Sequence, residues 1–185
     1  MLPGSNCGAC GFAGCRNLAE NLVAGHAQPA RCTQMSADAI GDVAGFLGVE
    51  AGAIVRRVAR LLCAGGADVA RQDGEYVGLA TCSAASAVAG GGKACAWGCL
   101  LLADCARVCA DDAITMVAQG LPRVDPARCT ACGKCVEACP RQLFTLLPVD
   151  HHLIVQCRSE LEGETAEAVC RVACTACGKC VQDAA

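Results

Sequence analysis

Aromatic side chains are nearly missing from this sequence, with three Phe, one Tyr and one Trp among 185 residues. The large rings that usually fill a core are therefore in short supply, and something else has to supply internal contacts. No charge-free apolar run reaches the roughly 18 residues of a membrane span, which argues against a span in this chain. A basic excess is lacking too: the net charge is −3, the wrong sign for a nucleic-acid partner. The N-terminus, MLPGSNCGAC, has no basic segment followed by an apolar stretch, so no signal peptide is read and a reducing cytosol is expected. No glycine-rich dinucleotide fingerprint follows a strand, and no nucleophile stands beside a base, so no substrate-transforming site is expected. The three histidines, His26, His151 and His152, lie apart from every other candidate ligand and read as surface or loop residues.

Cysteine is what the chain has in excess, at nineteen residues. Such density belongs to a small secreted disulfide scaffold or to a protein that wraps metal. The count is odd, the chain is long for the first class, and the cysteines crowd two or three residues apart. That spacing favours convergence on metal over pairing.

The composition predicts an α+β chain in four parts: a small helical N-terminal iron-sulfur domain over 1–50, a connecting region over 51–92, a ferredoxin-like two-cluster module over 93–150, and a partial third cysteine unit over 151–185. Helices are expected from about Ala13 to Ala24, stopped by Gly25, and from an N-cap at Ser36 to about Leu47 before Gly48. Strand candidates are AITMV at 113, LPRVD at 121, LFTLL at 143 and HLIVQ at 152, whereas VRRVARLLC fits helix or strand. Cys82, Cys95, Cys99, Cys105 and Cys109 recur 75 residues later as Cys157, Cys170, Cys174, Cys180 and Ala184, with Cys177 falling where the earlier copy has Leu102. Duplicated cluster-binding units would give such a repeat.

Cys129, Cys132, Cys135 and Cys139, followed by Pro140, form C-x2-C-x2-C-x3-C-P. Three thiolates so close can wrap the corner of an iron-sulfur cube, while the fourth serves a neighbouring cluster; structural zinc prefers two separated C-x2-C pairs. Cys95, Cys99, Cys105 and Cys109 lie about 30 residues earlier, as the first half of a two-cluster ferredoxin does, though Ala110 replaces the usual proline. Ligand exchange then predicts one 4Fe-4S cluster on Cys95, Cys99, Cys105 and Cys139 and another on Cys129, Cys132, Cys135 and Cys109, the alternative being a ligand choice that involves Cys82. Cys7, Cys10, Cys15 and Cys32, among four glycines that let the backbone turn tightly, form a further 4Fe-4S candidate, with zinc as the alternative. Cys174, Cys177 and Cys180 repeat the tight spacing without a fourth cysteine, which must come from Cys170, Cys157 or beyond this sequence. Cys63 and Cys82 read first as small buried apolar residues; alternatively Cys63, Cys82, Cys157 and Cys170 meet in space. Three clusters are thus expected, four if the triplet is completed, and five if the leftover cysteines meet. Trp97 is expected to shield a cluster. Arg123, Arg128, Lys134 and Arg141 give a local basic excess that suits either an acidic redox partner or a solvated face.

LPGSNCGACGFAGCRNLAE, GGGKACAWGCLLLADCARVCADDAI and VDPARCTACGKCVEACPRQLF together resemble RnfB, the B-type component of the Rnf electron-transport complex, in its longer anaerobe form. The resemblance covers nearly the whole chain. It implies a cytoplasmic multi-cluster subunit, at the cytoplasmic face of the cell membrane, that takes electrons from ferredoxin. It also implies partner subunits in a membrane complex that reduces NAD and moves sodium ions or protons. Compared with that family, an N-terminal anchor helix is expected to be lacking before LPGSNCG, as is a last ferredoxin motif after Cys180. The other readings are an electron-input subunit of a different soluble oxidoreductase, a cluster-based redox sensor and a zinc-stabilised scaffold.

Overall fold

The structure, a computed structural model, describes residues 1–53 and 55–183. Helix α1, Cys15–Val23, buries Leu18 and Leu22, one turn apart on a single face. It stops at Ala24, followed by Gly25 in the left-handed region. Helix α2, Ala37–Leu47, begins where Ser36 Oγ accepts a hydrogen bond from the Ala39 N–H at 3.2 Å, and ends at left-handed Gly48. Between them, a 3-10 turn at Pro29–Arg31 delivers Cys32 into a small core with Leu18, Leu22 and Val43.

The segment that fits either helix or strand is a strand, β1, Arg57–Leu61, because it finds a partner. It pairs antiparallel with β4, Phe144–Pro148, in the register Arg57↔Pro148 to Leu61↔Phe144, and buries Val58, Ala59 and Leu61. A second antiparallel pair joins β2, Ile114–Met116, to β3, Pro122–Val124. Short helices stand between these strands: α3, Cys82–Ala87, α4, Asp104–Arg107, and α5, Lys134–Ala138. The expected strand at HLIVQ does not form. Residues 151–162 have no regular structure, Leu153 is exposed, and β4 hydrogen-bonds to β1 instead.

Helix α6, Gly163–Val169, and α7, Lys179–Gln182, follow. The α6 end is tied back to the connecting region, the Arg71 N–H donating to Val169 O at 2.9 Å and the Arg171 N–H to Val69 O at 3.0 Å. Mixed helix and sheet make an α+β chain, as the sequence predicts. Its main core joins Ala59, Leu61, Ile114, Leu143 and Phe144 to Cys63, Cys99, Cys105 and Cys135. Thiols occupy the interior places that aromatic rings would fill elsewhere. Among the described residues, no helix is long and apolar enough to cross a membrane.

Candidate metal centres

All nineteen cysteines are free thiols, and twelve of them sort into three enclosed spaces with four apiece. Cys109, Cys129, Cys132 and Cys135 line one space with Ala59, Ile114 and Leu146, the same four that ligand exchange predicts. Cys82, Cys99, Cys105 and Cys139 line a second with Leu61, Leu143 and Phe144. Cys63, Cys95, Cys157 and Cys170 line a third. Cys82, rather than the first-expected Cys95, lines the space of Cys99, Cys105 and Cys139, which is the alternative that involves Cys82, while Cys95 lines the space of Cys63, Cys157 and Cys170.

Backbone conformation explains the exchange. In the tight motif, Ala131 and Gly133 take positive φ of 56° and 82°, curling the chain so that Cys129, Cys132 and Cys135 face one space. Thirty residues earlier the same curl recurs at Leu101 and Ala103, with φ of 65° and 64°. Cys99, Cys105 and Cys109 thus match Cys129, Cys135 and Cys139, and Leu102 stands where Cys132 would be. Cys82, at the first position of α3, supplies the thiol this loop lacks. The signal was present in the sequence as the coincidence of Leu102 with Cys177, but its other half lies at a 30-residue offset rather than the 75-residue one.

The donor chemistry fits an iron-sulfur core. Burial pushes the Cys99 thiol up from 9.0 to about 11, and burial followed by neighbouring thiols pushes Cys105 and Cys135 to about 12. Left bare, these sulfurs stay protonated; as thiolates they need a positively charged core between them. Among the described residues, no three His, Cys, Asp or Glu side chains converge closely enough to share one metal ion. The thiols surround a space, as ligands of a cluster do. Backbone N–H groups already point at sulfur: Ala113 N–H at Cys109 Sγ (3.3 Å), Leu143 N–H at Cys139 Sγ (3.4 Å) and Ala59 N–H at Cys129 Sγ (3.5 Å). Such bonds stabilise the charged thiolate and tune a cluster.

In the N-terminal unit, burial raises the Cys32 thiol, with smaller contributions from Cys10 and Cys15, which lie near it. Asn6 Oδ1 accepts from the Cys15 N–H at 2.8 Å, folding the Cys7 loop onto α1. At the other end, Cys174 is half-buried and Cys177 and Cys180 are exposed. The curl recurs there at Ala176 and Gly178, with φ of 57° and 73°. Cys170 and Cys157, the candidates for the triplet's fourth ligand, both line the third space; Ala184 lies outside the described residues.

Charged and aromatic neighbours complete the sites. Half-buried Trp97 lines the third space, and with it lies Lys93, which is 7% exposed. Arg141 lines the second and donates to Gly90 O. Thr130 Oγ1 donates to Asp111 Oδ2 at 2.9 Å beside the first. Arg123, Arg128 and Lys134 are exposed, as are the three histidines.

Residues 2–34 match a family described as "Putative Fe-S cluster", and residues 121–144 match the family "4Fe-4S binding domain". The 4Fe-4S cluster is the cofactor. Over 172 residues the chain is 45% identical to the B-type component of the Na(+)-translocating ferredoxin:NAD(+) oxidoreductase complex of Acetobacterium woodii, covering 93% of this chain and 52% of that protein. It is 39% identical to the B-type component of the proton-translocating ferredoxin:NAD(+) oxidoreductase complex of Clostridium ljungdahlii, over 93% of this chain and 61% of the relative. The corresponding component of an ion-translocating oxidoreductase complex of Methanosarcina acetivorans is 34% identical, over 93% of this chain and 65% of that protein. The chain thus spans between about half and two thirds of the length of these relatives.

Proposed function

We propose that this chain, homologous over 93% of its length to the B-type component of ion-translocating oxidoreductase complexes, is a multi-site electron relay. In this reading it accepts electrons from reduced ferredoxin and passes them to other subunits of a membrane complex that reduces NAD, working at the cytoplasmic face. Four sets hold 4Fe-4S clusters: Cys7, Cys10, Cys15 and Cys32; Cys109, Cys129, Cys132 and Cys135; Cys82, Cys99, Cys105 and Cys139; and Cys63, Cys95, Cys157 and Cys170. A fifth, incomplete set is Cys174, Cys177 and Cys180. Each bound cluster supplies one-electron redox chemistry.

One observation carries the reading: contacts link elements of one set to elements of the next, so that we read the sets as a row. Thr33, next to Cys32, donates through Oγ1 to Thr130 O at 3.1 Å, between Cys129 and Cys132. Helices α4 and α5, which carry Cys105 and Cys135, pack together in the main core. Cys63 and Cys99 share the main core, which joins the next set, and Cys170 leads to Cys174 four residues on. A ferredoxin-like module over 93–150, completed by Cys82 from the connecting region 51–92, forms the middle of that row. An N-terminal domain over 1–50 and the unit over 151–185 form its ends. Buried thiolates, with N–H groups aimed at them, set each site's potential.

The test is iron and acid-labile sulfide on anaerobically purified protein, followed by mixing with reduced ferredoxin. Four loaded sets give about sixteen of each per chain. Stoichiometric zinc without sulfide, or no electron uptake, overturns the relay.

A further inference from the structure

Among the described residues, Lys93 is the one buried charged side chain. None of the four ion pairs of the described residues involves it. Its ammonium donates to Gly65 O at 2.8 Å, a neutral carbonyl. Burying an ammonium without a counter-charge is strongly unfavourable, so a negative group nearby would stabilise it.

The surroundings identify that group. Lys93 lines the space shared by Cys63, Cys95, Cys157 and Cys170. A Cβ on Gly65, whose carbonyl the ammonium contacts, would lie 3.1 Å from Cys170 Sγ and 3.7 Å from Cys63 Sγ. The residue anchoring the ammonium therefore abuts two of the four sulfurs. On the other side, a Cβ at Gly98 would come within 2.9 Å of Lys93 Cε, so glycine there makes room for the side chain. A backbone bridge between Gln72 and Lys93, with the Ala94 N–H donating to Arg71 O at 3.1 Å, fixes the segment that carries it. The site containing Cys129 has the opposite neighbour, the carboxylate of Asp111.

We propose that Lys93 sets the redox potential of the site formed by Cys63, Cys95, Cys157 and Cys170, its buried ammonium favouring the reduced form of the cluster held there. Reduction adds one electron and one negative charge, and a fixed cation in a low-dielectric surround stabilises that added charge. This inference rests on the proposed ligand set, and its test separates the two.

The experiment is an EPR-monitored redox titration of the full chain, purified anaerobically, with iron and sulfide counted for every variant. Cys157→Ala first identifies the signal of this site: loss of one signal with about four iron supports the ligand set. No loss sinks the ligand set, whatever Lys93 does. Lys93→Met, of similar length without the charge, is expected to keep the iron and lower the midpoint of that signal by about tenfold in the reduction equilibrium, about 59 mV. Lys93→Arg is expected to hold the parent midpoint. A change below about threefold in Lys93→Met, or an equal fall in Lys93→Arg, overturns the proposal. Should Lys93→Met lose the cluster, Lys93→Arg decides: retention supports a requirement for charge at this position, and loss in both variants overturns it.

Discussion

The exchange of Cys82 and Cys95 is a claim about two single thiols, and paired substitutions test it. Removing two ligands of one cluster does the damage of removing either, because the first loss already empties the site. Removing ligands of two clusters adds. Cys82 and Cys99 share a space, whereas Cys95 lines another with Cys63. The Cys82→Ala/Cys99→Ala double variant is therefore expected to lose about four iron per chain, and Cys95→Ala/Cys99→Ala about eight, by iron and sulfide analysis under anaerobic conditions. The reverse result would restore the set in which Cys95 completes Cys99, Cys105 and Cys139. At this scale the sequence displayed the thiols but not the partition. Spacing locates ligands that share a loop, as Cys129, Cys132 and Cys135 do. It leaves Cys82 as an alternative only, because Cys82 reaches its site from a helix in the connecting region.

Among the loops and strands, glycine acts in two separable ways. Gly133 takes φ of 82° and has open space where a Cβ would be, so Gly133→Ala only imposes a left-handed conformation on alanine, at a cost of about 1–2 kcal/mol. Gly65 has no such dihedral, but its Cβ would press on Cys170 Sγ. Gly133→Ala is accordingly expected to lower stability to denaturant while keeping the parent iron content. Gly65→Ala is expected to lose about four iron with little change elsewhere. Equal iron in both variants would mean that Gly65 gives no room the third site needs. Element prediction succeeded where the signal is local, as in α2, whose Ser36 cap and Gly48 stop are legible in the sequence. Where partner choice decides, it stalled. VRRVARLLC is a strand because β4 lies opposite it, whereas HLIVQ finds no strand partner among the described residues. Both segments carry branched apolar residues, so no periodicity could separate them.

Taken as a whole, the molecule has sulfur where others have rings, so its stability is tied to what the sulfur binds. Stripped of metal, Cys99, Cys105 and Cys135 are neutral thiols in an apolar interior, held at about 11 to 12 by burial, whereas the unfolded chain ionises them near 9.0. Between those limits the folded chain keeps protons that the unfolded chain has released. Stability therefore is fully present below pH 9, falls as pH rises above it, and levels off once the folded thiols ionise as well. Cys99 alone accounts for up to about 3 kcal/mol of this loss, at about 1.4 kcal/mol for each tenfold change in proton affinity. The loaded protein has the opposite slope, since its thiolates are already deprotonated when folded and acid pulls them off the metal. Denaturant titrations followed by circular dichroism, from about pH 7 to 11 without oxygen, are expected to show a falling midpoint for the metal-free chain. The loaded chain is expected to hold its midpoint over the same range and lose it toward acid. A metal-free midpoint that stays flat above pH 9 would mean that these thiols meet water once the clusters are gone, and that the cysteine core exists only around its cofactor.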